Sequence, residues 1–290
     1  MAHQLRKLCK TQHFNIIHAN NYESIEALNL IASRCNSITI GHIRDMRFFS
    51  IDRSQPGKKN LYPNIHHFIA ISNYLKQMYL NATDRNNVTT IYNQIDLPDV
   101  AKKSKAALRK DLNLPAKNII LYLGSLVPEK GAHLIPEIAK QCPDCFFAVI
   151  GSGSLHSEFE NLNLPNMKLF GQLPPKEAQK FLAASDITIV PSQVEEGFGR
   201  TVAESQLSGS VVIASKIGAI PELISNGKTG FLIDKDDLSS FVSHIKHLIS
   251  NPKRAAAIAK QAKKSALPLC NTSENVINLY RDLVENNEHE

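Results

Sequence analysis

The chain has 290 residues, 43% of them hydrophobic, which is enough for one large or two ordinary domains with real cores. Its net charge is +6 and it lacks tryptophan, which argues against a stacking-based nucleic-acid binder. No apolar run approaches the ~18 residues of a membrane span, residues 1–10 contain no signal-like apolar stretch, and the five scattered cysteines form no disulfide framework, so a cytoplasmic protein is expected.

Taken in chain order, short apolar runs at 14–19, 37–41, 68–72 and 88–92 read as strands. Amphipathic helical patterns at 24–33 and 73–80 lie among them. A polar stretch at 96–104 reads as a linker. Six further strands follow at 118–124, 145–151, 167–170, 186–191, 211–215 and 230–233, alternating with helical patterns at 134–140, 176–184 and 201–208. The tail at 274–285 reads as one more amphipathic helix, placed to pack back on the first unit. Short apolar strands alternating with helices predict parallel α/β sheets. The expected division is 1–99, 100–272 and a C-terminal helix in 273–290, with the first unit having fewer strands than a complete doubly wound fold.

The richest stretch is Glu196-Gly197-Phe198-Gly199-Arg200-Thr201-Val202-Ala203-Glu204, two carboxylates seven residues apart. It follows a strand ending in Pro191-Ser192 and opens a helix. Strand, glycine-rich turn and helix is a geometry in which backbone N–H groups bind phosphate. A carboxylate on either side suits a ligand with hydroxyls at both ends, as a nucleotide-sugar has.

Four motifs in order then resemble the donor domain of family-4 glycosyltransferases, retaining enzymes of the GT-B fold. They are Gly124-Ser125 with Lys130-Gly131, Gly151-Ser152-Gly153, the two-carboxylate block, and 218–232 with Gly218, Glu222, Gly227 and Gly230. The resemblance covers 118–252. More loosely, 16–20, 68–76 and 91–96 resemble the latter half of that family's acceptor domain, whose opening βα units have no counterpart in the sequence. The resemblance thus implies an α/β fold of two Rossmann-like parallel-sheet domains, GT-B-like, with the first one shortened.

It also implies roles. Glu196 would hold hydroxyls of the transferred sugar, helped by the N–H groups of Gly197, Phe198 and Gly199. Glu204 would accept from the ribose hydroxyls, and Arg200, Thr201 and Val202 would face the diphosphate. Lys130 would neutralise the leaving diphosphate. The family's second cation, five residues earlier, is replaced by Ser125, which supplies no charge. Arg200 or Arg44 is the candidate substitute. Gly124, Gly151 and Gly153 would shape the donor loops. In Gly41-His42-Ile43-Arg44 either His42 or Arg44 would stand near the reacting sugar, and the sequence leaves the choice open. Gln94 occupies a position where the family writes glycine, between Asn93 and Asp96, and is expected to be strained if that position needs positive φ.

The implied activity is transfer of a hexose from a UDP- or GDP-linked sugar to a hydroxyl acceptor, such as a saccharide or glycolipid of the cell envelope, as in lipopolysaccharide biosynthesis. No cofactor and no metal is implied. Asp234-Lys235-Asp236 reads as a helix-cap region rather than a metal motif, and Cys142-Pro143-Asp144-Cys145 lacks a second pair of ligands. Two basic clusters, Arg44, Arg47, Arg53, Lys58 and Lys59, and Lys102, Lys103, Lys105, Arg109 and Lys110, suit either a solvated face or peripheral contact with anionic membrane. Two rivals stay open: a non-catalytic nucleotide-sugar binder or a subunit whose first domain is completed by a partner chain, and an NAD enzyme, which the lack of Gly-x-Gly-x-x-Gly disfavours.

Overall fold

A computed structural model describes residues 1–49, 60–95, 103–270 and 272–287. The strands are β1 (Ile16–Ala19), β2 (Ile38–Ile43), β3 (His67–Ala70), β4 (Val88–Thr90), β5 (Asn118–Leu123), β6 (Cys145–Ile150), β7 (Met167–Leu169), β8 (Ile187–Val190), β9 (Val211–Ser215) and β10 (Phe231–Ile233). The helices are α1 (Ala2–Thr11), α2 (Tyr22–Asn29), α3 (Asn73–Ala82), α4 (Lys105–Asp111), α5 (Ile135–Gln141), α6 (His156–Asn161), α7 (Pro175–Ala184), α8 (Arg200–Ser208), α9 (Ile220–Leu223), α10 (Leu238–Ser250), α11 (Pro252–Cys270) and α12 (Ser273–Asn287). Among the described residues no helix is long and apolar enough to cross a membrane.

The chain divides into two compact units, Met1–Gln94 with Thr272–Glu290, and Ile95–Asn271. The expected boundary at residue 99 lies a few residues further on, within the stretch 96–102 that is outside the described residues.

The first unit is a four-stranded parallel sheet in the order β1-β2-β3-β4. Every residue of β2 is buried, the pattern of a parallel strand covered on both faces. Asn21 caps α2 reciprocally with Ser24, and the Ser72 hydroxyl accepts from the Leu75 N–H to start α3. Val276, Leu279, Tyr280, Leu283 and Val284 of α12 pack on Ile38, Ile40, Ile69 and Ile91.

The second unit is a six-stranded parallel sheet in the order β10-β9-β8-β5-β6-β7. Its strand order reverses between β5 and β8. In open α/β sheets a ligand crevice forms beyond the carboxyl ends of the strands at such a reversal. The larger core lies on one face, where Ile120, Phe147, Val149, Ile189, Ile213 and Phe241 meet.

The structure resolves two local readings. The cap of α10 is Asp237, whose Oδ1 accepts from the Ser240 N–H at 3.0 Å, one residue beyond the expected Asp234–Asp236 stretch; Asp236 itself turns the chain at φ 68°. Gln94 does not adopt positive φ, and its side-chain oxygen accepts from the Thr272 N–H at 2.8 Å. The glycine-to-glutamine change therefore carries no backbone strain.

Candidate functional site

The loops after β5 and after β8 meet at the strand-order reversal. They are drawn together through Gly131, at φ 69°, where an added Cβ would stand 1.8 Å from the Pro191 carbonyl oxygen. Only a glycine lets the two backbones approach this closely. The Gln193 N–H donates to the Glu129 carbonyl at 2.8 Å and ties the loops again.

This contact places Lys130 beside Glu196, 66 residues apart in the chain. Lys130 Nζ lies 2.6 Å from Glu196 Oε1, and the Ser192 hydroxyl donates to the same oxygen at 2.6 Å. The Glu196 backbone is fixed by Gly218, where a Cβ would stand 2.4 Å from the Glu196 carbonyl oxygen, and by the Ala219 N–H, which donates to that oxygen at 2.8 Å. Glu196 therefore spends one carboxylate oxygen on the protein. Its Oε2 has no partner among the described residues.

Glu204, on the first turns of α8, is held in the same manner: Arg200 Nε donates to its Oε1 at 2.7 Å. Arg200 is thus committed to Glu204, with its side chain 71% exposed. The helix has no side-chain cap, since Gly199 stands at its N-cap. Its ladder begins with the Ala203 N–H bonded to the Gly199 carbonyl, so the N–H groups of Arg200, Thr201 and Val202 precede it. Such a helix start favours an anion.

A cleft of about 190 Å³ opens here, lined by Tyr122, Gly124, Lys130, Glu196, Arg200 and Thr201, with Ser192 and Gly199. Ser125 is exposed beside it and Gly197 half-buried, while the side chains of Phe198 and Val202 are buried in the core. Gly151 and Gly153 do not line the cleft. They back the β5 loop, where a Cβ would stand 1.9 Å from the Gly124 carbonyl oxygen and 2.5 Å from that of Leu126.

Two polar side chains of the cleft escaped the sequence reading. Ser192 is one. Tyr122 is the other: its hydroxyl donates to the Ser125 carbonyl at 2.7 Å and holds the loop that carries Gly124 and Ser125. Burial, and then the charge of Glu196, raise the Tyr122 pKa, so the phenol stays a donor at neutral pH.

In the first unit, Arg44 and His42 differ in setting. Arg44 follows β2 and donates to Asn20 Oδ1 at 2.7 Å and to Asn93 Oδ1 at 2.9 Å, which draws together the carboxyl ends of β1, β2 and β4. His42 lies within β2, 8% exposed, stacked on His18 with ring centroids 5.2 Å apart. Burial, then the charges of Arg44 and His18, push its pKa down to about 3. His42 is a neutral interior ring, whereas Arg44 stands at the sheet edge.

The basic clusters are partly neutralised. Arg47 pairs with Asp45 and Glu23, Lys103 with Asp111, and Arg109 and Lys105 with Asp186. Arg53, Lys58, Lys59 and Lys102 lie outside the described residues, as does Asp96. Cys142 and Cys145 are buried where α5 ends and β6 begins. Among the described residues no group of three or more His, Cys, Asp or Glu side chains is arranged to hold a metal ion.

Residues 104–265, more than half of the chain, match the family "Glycosyl transferases group 1". The chain is 23% identical over 301 residues to spore coat protein SA of Bacillus subtilis (strain 168), covering 93% of this chain and 79% of that protein. It is 27% identical over 179 residues to the GDP-mannose-dependent alpha-(1-6)-phosphatidylinositol monomannoside mannosyltransferase of Mycolicibacterium smegmatis, covering 57% of this chain and 47% of that one. The chain thus spans only about half the length of that relative. Among solved structures, the crystal structure of Anabaena Alr3699/HepE in complex with UDP superposes over 100% of this chain and 82% of its own, with a TM-score of 0.82 at 21% identity. The chain belongs to the glycosyl transferases group 1 family of transferases, and its two parallel-sheet, Rossmann-like units are those of the GT-B fold.

Proposed function

We propose that this chain transfers a hexose from a nucleotide-sugar to a hydroxyl acceptor with retention at the anomeric carbon. The observation that carries the reading is the pairing of Lys130 with Glu196 at the β5–β8 reversal, beside the uncapped start of α8. In this reading Glu196 Oε2 accepts from hydroxyls of the sugar, and Glu204 accepts from the ribose. The N–H groups at the start of α8 and Lys130 take the diphosphate, whose departing charge they stabilise. The diphosphate oxygen that leaves accepts the acceptor's proton during front-face attack, since no double-displacement nucleophile is identified. Supporting the donor class, the Anabaena protein has been crystallised with UDP and with UDP-glucose, and the mycolicibacterial relative is named for GDP-mannose. The acceptor is a saccharide or glycolipid, met by a cytoplasmic enzyme at the membrane face.

A second reading is motivated by Ser125, which puts a hydroxyl where the family resemblance calls for a cation, while Arg200 is bound to Glu204. In that reading the chain binds a nucleotide-sugar without transferring it, or does so only with a partner chain.

Calorimetric titration of the purified chain with UDP, GDP, ADP and their hexose conjugates tests both. The expected result is micromolar binding of one nucleotide. Glu204→Ala should weaken the nucleoside diphosphate itself by roughly tenfold or more, from the loss of two charge-assisted hydrogen bonds. Glu196→Ala should spare the diphosphate and weaken only the sugar conjugate. No binding by any nucleotide would sink the donor-site reading, and binding with neither transfer nor hydrolysis would select the second.

A further inference from the structure

A larger cavity, about 370 Å³, lies in the second unit at the opposite ends of the strands, where β5, β8 and β9 begin at Asn118, Ile187 and Val211. Its position separates it from the donor cleft by the length of the sheet. The lining is mostly apolar: Ala255 and Ala259 of α11 share it with Ile187, Val211 and Leu248, and Ala256 stands at its rim. Ala255 and Ala259, one turn apart on α11 and half-buried, also pack against the larger core, while Ala256 is exposed beside them. Alanine at each of these positions leaves room that a larger side chain would fill.

The net charge around this floor is positive. Lys260 and Lys263 continue the same face and line the cavity, and α11 contains Lys253, Arg254 and Lys264 besides, with no acidic residue between Pro252 and Cys270. Neither Lys260 nor Lys263 makes an ion pair or side-chain hydrogen bond with a described residue. The one carboxylate in the lining, Asp186, is already satisfied. Arg109 Nη2 lies 2.6 Å from its Oδ2, the Ile119 N–H donates to it at 2.9 Å, and Lys105 Nζ lies 3.4 Å from its Oδ1. Two cations thus surround one anion there, and the two lysines of α11 add uncompensated positive charge.

A concave, mostly apolar pocket of this size with a few charged groups at its margin has the make-up of a small-molecule site. Uncompensated lysines select an anion, and the alanine floor selects a hydrocarbon. The lining has no aromatic ring on which a base would stack, which disfavours a nucleotide. We propose that this groove binds a single-chain anionic amphiphile, a fatty-acid carboxylate, with the chain along Ala255, Ala256 and Ala259 and the head group beside Lys260 and Lys263. The proposal stands independently of the donor-site reading.

Calorimetric titration of the full chain at pH 8 with monomeric laurate, alongside the neutral detergent decyl maltoside, tests it. Saturable one-to-one laurate binding is expected, with decyl maltoside much weaker. The double substitution Lys260→Glu and Lys263→Glu should weaken laurate by at least about tenfold, since two attractive charges become repulsive. Ala256→Trp, which fills the groove from an exposed position, should abolish binding while leaving the thermal unfolding midpoint unchanged. Absence of saturable binding, equal affinity for the neutral detergent, or indifference to both variants would each overturn the proposal. So would association with anionic vesicles in the absence of monomer binding, which would assign the lysines to a lipid surface.

Discussion

At the scale of single residues, the candidate site is organised around oxygens already taken and oxygens left over. Glu196 Oε1 receives Lys130 and Ser192, and Glu204 Oε1 receives Arg200. A carboxylate anchored by one oxygen presents the other at a fixed angle, which is what recognition of a diol requires. Ser192, 1% exposed, is a positioning group in this arrangement. Ser192→Ala should weaken binding of the sugar conjugate by about three- to tenfold, less than the full worth of one hydrogen bond to a charged group because Lys130 still holds the same oxygen, and leave the bare nucleoside diphosphate unaffected. Ser192→Thr should restore it. Titration of the three proteins with both ligands measures this, and an equal loss for the two ligands would refute the positioning role. The carboxylates were legible in the sequence because their spacing and glycine-rich surroundings resemble a known pattern. Ser192 was not, because its role depends on the reversal of the backbone between residues 192 and 196, and Lys130–Glu196 was not, because no local pattern reports a contact across 66 residues.

At the scale of elements, all ten strands of the described residues were legible as short apolar runs, since a buried parallel strand has few ways to hide. Helices were read unevenly. α8 and α12 announced themselves by amphipathic spacing, whereas α11 did not. Its core face consists of Ile258, Ala262, Ala266 and Cys270, three of them small, and its other faces are alanine and lysine, so the apolar contrast along it is weak. Sheet order is also invisible in a list of strands, yet it is what locates the cleft. The order β9-β8-β5-β6 puts two loops far apart in sequence over one crevice, and Gly131 is where they touch. Gly131→Ala must adopt φ 69° with a side chain and also displace the Pro191 carbonyl, at a combined cost of roughly 2–4 kcal/mol. The expected outcome is a lower thermal unfolding midpoint, by several degrees, together with loss of nucleotide binding as Lys130 and Glu196 separate. A variant with unchanged midpoint and affinity would show that the two loops do not depend on this contact.

At the scale of the whole molecule, the chain returns to its first unit at its end. Thr272 donates its hydroxyl to the Tyr92 carbonyl at 2.8 Å, and α12 then covers the sheet face that bears Ile38 and Ile40. Beneath it lies a polar cluster in an otherwise apolar layer: Tyr280 is hydrogen-bonded to His18 Nδ1, and His18 is stacked on His42, both of whose ring nitrogens are buried without a hydrogen-bond partner among the described residues. Sequence reading anticipated the helix but not this cluster, because His18 and Tyr280 are separated by 262 positions. The cluster makes stability depend on pH with a definite sign. The folded state holds His42 at about 3 against an ordinary value of 6.5, so between those values the unfolded chain binds a proton that the folded chain refuses. The contribution is therefore complete above pH 6.5 and declines as pH falls toward 3, at about 1.4 kcal/mol per pH unit for one proton. The His18 pKa is lowered by burial and by Arg44, and acts in the same direction. Urea unfolding followed by circular dichroism at pH 7, 6 and 5 should show the wild-type chain losing stability on acidification. His42→Leu, which keeps the volume apolar and removes the titrating ring, should lose about one proton's worth less per pH unit. An identical pH dependence in the two proteins would mean that water reaches His42 and that the layer under α12 is not dry.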